Sequence, residues 1–288
     1  MNNSDKAHEQ TTLVLGGTGK TGRRVAELLT ARGLPIRIGS RSGTPPFDWA
    51  DQATWALALR NVAAVYLTYY PDLAVPGAVA AVRTFAECAV ESGVRRLVLL
   101  SGRGEQAAEL GEQVVRDSGA EWTILRSSFF SQNFSEGNFL EPVLSGEVAL
   151  PVGSVGEPFV DADDIAEIAV AALTEEGHRG QLYELTGPRL LTFAEAVAEI
   201  ARATGREIRF VPVSMEQYAS MLAAYDVPAE FVALLTYLFT EVLDGRNALL
   251  TDGVQRALGR EPRDFTDYVR ATAASGVWGV PAPLEASR

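Results

Sequence analysis

Closely spaced glycines follow the first apolar run of the chain, Thr11 to Leu15. Three of them satisfy the spacing G-x-G-x-x-G, and the apolar residues after them recur at helical intervals. Glycine permits a tight turn and lets the backbone approach a pyrophosphate, while the start of the next helix offers N–H groups to phosphates. A strand-to-helix turn without a ligand is the alternative. The predicted pyrophosphate-binding residues are Gly16, Gly17, Thr18, Gly19, Lys20, Thr21 and Gly22.

A second predicted strand, 35–39, ends in Ser40, Arg41 and Ser42. An acidic residue in this region would contact a ribose 2′-hydroxyl, whereas an arginine accommodates a 2′-phosphate. No acidic residue occurs between positions 33 and 47. The segment therefore favours NADP(H) over NAD(H), with the two serines as further donors. The alternative is that Arg41 is an ordinary solvated loop residue.

Strands and helices alternate along the chain, which predicts an α/β Rossmann fold, a doubly wound parallel sheet. A smaller, mostly helical C-terminal substrate subdomain is expected beside it. The predicted division is a disordered tail over 1–10, a core over 11–150 with elements from 157–186, and a lid-like substrate subdomain over 187–288, interleaved with the core. A short third strand is expected at 47–49 and a helix from 74 to 92.

Ligands of such sheets bind outside the carboxyl ends of the strands, and side chains there are candidates for the site. Further cofactor contacts are predicted for Asp48, Leu67, Thr68 and Ser101. Tyr69, Tyr70 and Ser101 are the candidate proton donors; packing is the alternative for both tyrosines. A polar and aromatic loop suits a planar apolar ligand. The predicted substrate-binding residues are Tyr70, Arg103, Phe129, Phe130, Asn133 and Phe134.

Composition excludes several other classes. The formal net charge of −12 over 288 residues argues against nucleic acid and anionic membranes as main partners. Cys88 is the single cysteine, and His8 and His178 are the two histidines, so no metal site or histidine-based triad is expected. The polar N-terminus shows no secretory signal, and we expect a cytoplasmic protein, monomeric or homodimeric.

The order and spacing of several segments resemble the NmrA-like branch of atypical short-chain dehydrogenases, most closely its festuclavine dehydrogenase-like group and bacterial relatives. The segments are the glycine motif, Trp-Thr-Ile-Leu-Arg at 122–126, Phe-Phe-Ser-Gln-Asn-Phe at 129–134, Phe-Val-Asp-Ala-Asp-Asp-Ile-Ala at 159–166 and Tyr-Glu-Leu-Thr-Gly-Pro at 183–188. The resemblance implies an NADPH-binding Rossmann domain, a small C-terminal substrate domain, and a 2′-phosphate contact for Arg41. The branch contains both reductases and nucleotide-sensing regulators.

The Tyr-x-x-x-Lys pair of most short-chain dehydrogenases is absent. Lys6 and Lys20 are the only lysines, and neither follows a tyrosine at that spacing. We therefore expect an NAD(P)H-dependent reductase whose planar apolar substrate, an iminium, enone or quinone-like compound of secondary metabolism, needs no such pair. The alternative is a regulatory protein that senses NADP(H) without turnover.

Overall fold

The computed structural model describes residues 11–279, so the predicted tail, with Lys6 and His8, lies outside the described residues. The chain forms two compact units. The first contains the residues up to Ser128, Ala162–Thr186 and Thr251–Pro262; the second contains Phe129–Asp161, Gly187–Leu250 and the residues from Arg263 onward.

These units differ from the predicted division in three segments, the shortest of which, residues 157–161, was predicted in the core and falls in the second unit. Residues 129–150 fall in the second unit, because the strand at 147–150 pairs there with the strand at 209–212. Residues 251–262 fall in the first unit, where the Thr251 hydroxyl donates to the Glu184 carbonyl at 2.7 Å.

The strands of the described residues are β1 Thr11–Leu15, β2 Ile36–Gly39, β3 Val62–Leu67, β4 Arg96–Gly102, β5 Glu121–Ser127, β6 Glu147–Leu150, β7 Gly156–Glu157, β8 Gln181–Leu185, β9 Leu191–Thr192 and β10 Arg209–Pro212. The α-helices are α1 Lys20–Ala31, α2 Trp55–Leu59, α3 Ala78–Glu91, α4 Gln106–Asp117, α5 Asn133–Glu136, α6 Leu140–Ser145, α7 Ala162–Thr174, α8 Phe193–Thr204, α9 Met215–Ala224, α10 Ala229–Tyr237, α11 Gly253–Leu258 and α12 Phe265–Ala274. A 3₁₀ turn, Gln52–Thr54, precedes α2, and a π-helical turn, Leu238–Val242, follows α10.

The first unit is built on a six-stranded parallel sheet in the order β2-β1-β3-β4-β5-β8. The central strands are almost continuous runs of buried apolar residues, as expected for a parallel sheet with helices on both faces. The chain leaves β1 for β2 on one side and returns to β3 on the other. This reversal confirms the predicted Rossmann architecture and places a topological switch point at the end of β1.

Two predicted elements of the first unit differ from the structure. The expected strand at 47–49 forms only an isolated bridge between Asp48 and Asp51, because the aromatic side chains there fold onto Trp55 and Phe85. The helix expected from residue 74 begins at Ala78, because Gly77 before it takes the left-handed conformation, with φ of 88°.

The second unit is held by a phenylalanine-rich core. It brings together fully or almost fully buried rings from five parts of the unit: Phe134, Phe139, Phe159, Phe193 and Phe265. Helix α8 begins with a reciprocal capping box, in which the Thr192 hydroxyl accepts from the Glu195 N–H and the Glu195 carboxylate accepts from the Thr192 N–H.

An arginine-centred ion cluster ties α12 to α8 within the second unit. The Arg189 guanidinium donates to Asp264 at 2.8 and 2.9 Å and to Glu199 at 2.9 and 3.0 Å. Asp264 also caps α12 by accepting from the Thr266 N–H. The Arg189 hydrogen bond is the largest of several contacts that lower the pKa of Asp264 to about 2.

We predict that the free energy of unfolding of the Asp264→Asn variant falls less than that of the wild type as the pH is lowered from 5 to about 2. The folded-state pKa of Asp264 lies below its ordinary value of 3.8, so its stabilisation is complete above pH 3.8 and is lost as the pH falls toward 2. Urea unfolding between pH 5 and about pH 2 measures this slope. Asp267→Asn, an exposed position on the same helix, is the control; equal slopes in all three proteins would contradict the prediction.

Candidate functional site

The glycine turn after β1 has the geometry of a phosphate-binding loop. Gly16 has φ of 61°, a left-handed conformation that favours glycine, and the Gly19 N–H donates to the Gly16 carbonyl at 2.8 Å. A Cβ atom on Gly22 would overlap that same carbonyl oxygen. The turn therefore requires glycine at 16 for its angle and at 22 for the close packing of α1 against β1.

Helix α1 begins without a side-chain cap. Its N-cap residue is Gly19, and no acidic side chain stands in its first turn. Thr21 is 5% exposed and lies beside the buried Tyr66 hydroxyl, whose pKa is raised by burial. The backbone N–H groups, rather than the Thr21 hydroxyl, are therefore the donors this turn can offer. A pyrophosphate fits such an uncapped helix start in charge and in donor type.

The loop after β2 contains an exposed arginine, Arg41. Backbone hydrogen bonds from Gly43 and Phe47 to the Ser40 carbonyl, at 3.0 and 2.9 Å, fix the loop. The hydroxyls of Ser40 and Ser42 lie 3.5 Å apart. Arg41 between them is exposed, and its guanidinium forms no hydrogen bond or ion pair within residues 11–279. Three donor side chains are thus grouped next to the glycine turn, because β2 and β1 are neighbours.

The other predicted cofactor contacts have structural roles of their own. The Asp48 carboxylate accepts from the Ala50 N–H at 3.0 Å and forms an Asx turn. The Thr68 hydroxyl donates to the Leu15 carbonyl at 3.2 Å, directly over Gly16. The Leu67 side chain is fully buried in the apolar core, so a side-chain contact with a cofactor is excluded and only its backbone remains near the strand end.

The two tyrosines after β3 have different environments. Tyr69 is half-buried and lies against Trp49, with ring centroids 4.8 Å apart. Burial raises the pKa of Tyr69, which makes its phenol a weaker acid than a free tyrosine. Tyr70 is 70% exposed. The environment of Tyr69 therefore does not activate its phenol in the way that a neighbouring lysine would.

Ser101 was predicted to donate a proton, and the structure gives its hydroxyl another role. Ser101 is 4% exposed and donates to the buried carboxylate of Glu112 at 2.8 Å. Arg126 donates to both oxygens of the same carboxylate, at 2.7 and 2.5 Å. These bonds hold α4 against β4 and β5, so Ser101 acts as a packing and hydrogen-bonding residue rather than as a free acid.

Arg103, predicted to bind substrate, is also engaged inside the first unit. Its side chain is 6% exposed, donates to the Ser128 hydroxyl at 3.4 Å and lies 3.8 Å from the Glu184 carboxylate. Burial and these partners give the Arg103 side chain a structural role, and its predicted contact with substrate stays a prediction.

The predicted substrate residues at 129–134 lie in the second unit. Phe129, Phe130 and Asn133 are partly buried, so their side chains retain exposed surface. Phe134 is fully buried among other phenylalanine rings and is a core residue, contrary to the prediction. The Phe129 N–H donates to the buried Glu157 carboxylate at 3.0 Å, which fixes the start of the segment.

A carboxyl pair that the sequence reasoning missed lies at the carboxyl ends of β3 and β4. Glu105 is 6% exposed, although it is the residue that precedes α4, and its side chain does not cap that helix. It folds over Gly102, where a Cβ atom would overlap its carboxyl oxygen, and it lies within hydrogen-bonding reach of Asp72. The signal in the sequence was a glutamate placed three residues after a strand-ending glycine.

The described part of the chain contains neither a membrane-spanning helix nor a group of metal ligands. Between residues 11 and 279, no helix combines the length and the apolar character needed to cross a bilayer. Within the same residues, no three His, Cys, Asp or Glu side chains are grouped as metal ligands would be.

The parallel sheet, its switch point and the glycine turn define a Rossmann-type nucleotide-binding protein. No protein-family model matches the chain. It is 30% identical to festuclavine dehydrogenase from Aspergillus fumigatus, over 92% of this chain and 98% of the relative. It is also 30% identical to an NAD(P)H azoreductase from Xenophilus azovorans, over 91% and 98%. The chain belongs to the NmrA-like atypical short-chain dehydrogenases/reductases, a family that includes NAD(P)H-dependent oxidoreductases.

Solved structures confirm the fold. The triphenylmethane reductase of Citrobacter, crystallised with NADP(H), superposes with a TM-score of 0.71 at 19% identity, covering 91% of this chain and 99% of the other. At this identity the likeness shows the fold alone. The predicted α/β class and the family resemblance are thus confirmed by independent comparisons.

We predict that Arg126→Met destabilises the protein by about 3 kcal/mol, because it removes the bidentate partner of a buried carboxylate. Arg116→Met is the matched control: its contact with Glu112 is a single one at 3.5 Å, and it also lies over the Trp122 ring. We expect a loss of about 1 kcal/mol there. Urea unfolding measures both, and equal losses would contradict the central role of Arg126.

Proposed function

We propose that this protein is an NADPH-preferring reductase of a planar, largely apolar small molecule. The observation that carries the cofactor preference is Arg41, exposed and without a partner in the described chain, between two serine hydroxyls at the end of β2. A guanidinium in that position suits a 2′-phosphate, and the acid that would favour a 2′-hydroxyl is absent. A cytoplasmic location is part of the same proposal.

The glycine turn would hold the pyrophosphate of the same cofactor. Gly16 and Gly22 provide the bend and the close helix contact, and the first N–H groups of α1 donate to phosphate oxygens. Thr68, whose hydroxyl lies over Gly16, holds the turn from the β3 side. When bound, the nicotinamide supplies a hydride, and the protein supplies binding and orientation.

The proposed substrate class follows from the absence of the tyrosine–lysine pair. A simple carbonyl needs a strong general acid when it is reduced, and no tyrosine–lysine pair is present to provide one. Iminium ions need no proton at the carbon that accepts hydride. Quinones and enones delocalise the charge that forms. These acceptors therefore fit a reductase of this kind better than simple ketones do.

The aromatic segment of the second unit supports a planar substrate. Phe129 and Phe130 are half-buried, and Asn133 adds a polar group beside them. Aromatic faces with a few hydrogen-bonding groups are typical of sites for flat apolar ligands. These three residues remain our proposed substrate contacts within that unit.

A second candidate function is an NADP(H) sensor without turnover. The observation that favours it is the absence of an activated tyrosine: burial raises the pKa of Tyr69, and Ser101 is bonded to Glu112. A sensor would need the nucleotide site but no acceptor site.

We predict that the purified protein oxidises NADPH in the presence of at least one iminium, enone or quinone acceptor. Stopped-flow or steady-state absorbance of NADPH, with and without each acceptor, measures this. A protein that consumes NADPH with none of them, and that binds NADPH and NADP⁺ equally in a calorimeter, is the sensor instead.

We predict that Arg41→Asp weakens NADPH binding by about 1–3 kcal/mol and leaves NADH binding nearly unchanged, because only NADPH carries the 2′-phosphate. Arg83→Asp is the charge-matched control, since Arg83 is an exposed residue of α3. Calorimetric titration with both cofactors gives the comparison. Equal losses for NADPH and NADH would remove Arg41 from the phosphate site.

A further inference from the structure

The Asp72 and Glu105 carboxyls form a close pair within the first unit, in which Glu105 is buried and Asp72 is half-buried. One of the Asp72 oxygens accepts from the Ala74 N–H at 2.8 Å. Glu105 is more deeply buried, and no donor within residues 11–279 reaches its Oε2 atom. The nearby cation, Arg103, is engaged by Ser128 and Glu184.

Two ionised carboxylates within hydrogen-bonding reach of each other repel strongly where burial removes water, and neither has a proton to donate, so the doubly charged pair is high in energy. One of the two must therefore keep its proton. Burial, and after it the charge and hydrogen bond of Asp72, raise the pKa of Glu105 to about 9. Glu112, by contrast, is equally buried but is paired with Arg126 and accepts from Ser101.

The pair lies at the edge of the sheet where a bound substrate could receive this proton. Asp72 follows β3 and Glu105 follows β4, and these neighbouring strands are in register at Leu67 and Leu99. β3 also pairs with β1, whose end carries the glycine turn. Both carboxyls therefore stand at the sheet edge where ligands of such folds bind. Gly102 supports the arrangement, because any larger side chain would displace the Glu105 carboxyl.

We propose that Asp72 and Glu105 share one proton at neutral pH and supply it to the substrate heteroatom that becomes basic when hydride is added. The inference rests on the proposed reductase function. Asp72, the more exposed member, is the catalytic donor, and Glu105 is a positioning residue that keeps Asp72 supplied with the proton.

The step balances with NADPH as the reductant. Hydride transfer breaks the C–H bond of the reduced nicotinamide and carries both electrons to the acceptor. For a quinone, the O–H bond of a carboxyl breaks and its proton forms an O–H bond on the product, which leaves as hydroquinone. The pair is left with two negative charges and takes a proton back from water by way of half-buried Asp72.

The shared proton is tested without any substrate. Infrared spectra of the wild type should show a protonated carboxyl band above pH 7 that is missing from Glu105→Gln. Since the folded-state pKa of about 9 exceeds the ordinary 4.5, the wild type should lose stability relative to Glu105→Gln as the pH rises through this window. A spectrum without the band overturns the proposal.

The donor role is tested with two acceptors that differ in their need for a proton. A cationic triphenylmethane dye becomes neutral when it takes hydride and needs no proton, whereas a naphthoquinone needs one. We expect Glu105→Gln and Asp72→Asn to lower the ratio of quinone to dye reduction by about 100-fold. Glu109→Gln, an exposed carboxylate on the same helix, should leave the ratio unchanged.

The outcomes separate the two proposals. Equal loss of both activities in the carboxyl variants would make the pair merely structural and would overturn the donor role. A wild type that reduces neither acceptor contradicts the proposed function and with it the donor role, while the infrared band still decides whether the proton is shared.

Discussion

The close contact between Gly22 of α1 and the Gly16 carbonyl at the end of β1 is the constraint on which the nucleotide site depends. It leaves no room for a Cβ atom, so the helix axis is brought directly over the end of the strand. The uncapped N–H groups of α1 then point toward the switch point of the sheet. The loops after β2, β3 and β4 reach the same edge because those strands are parallel neighbours.

Features that depend on local sequence could be predicted, and features that depend on packing could not. The glycine turn, the parallel strands and the capped start of α8 each have a signature of a few adjacent residues. The strand expected at 47–49 is absent because its aromatic rings pack against Trp55 and Phe85, and Phe85 is distant in sequence. The core packing of Phe134 and the bond from Ser101 to Glu112 were not predicted either, since pattern alone does not show whether a residue beside a site faces the core or a ligand.

The buried and half-buried carboxyl groups of this chain are stabilised in two ways, by pairing with an arginine or by protonation. Arg126 neutralises Glu112, and Arg189 neutralises Glu199 and Asp264, with short bidentate bonds in both cases. The hydrogen bonds from Asp264 and Glu199 are the main contacts that raise the pKa of Arg189, so its charge is fixed at any ordinary pH. Within residues 11–279, no cation pairs with the Glu105 carboxyl beside Asp72, so protonation is what offsets its burial.

This difference bears on how a short-chain reductase can work without a tyrosine–lysine pair. Arginines cannot exchange protons near neutral pH, and this chain is rich in arginine and almost without lysine. His178 precedes β8, at the opposite edge of the sheet from the glycine turn. Burial lowers its pKa, and its Nδ1 atom is hydrogen-bonded to the Tyr183 hydroxyl at 2.9 Å. A carboxyl with a raised pKa at the correct edge is then the group in the first unit that combines the right position with an exchangeable proton. A neighbouring cation lowers the pKa of a tyrosine toward neutral, and burial raises the pKa of a carboxyl toward neutral. A buried carboxyl can therefore supply the proton in a reductase that has no tyrosine–lysine pair.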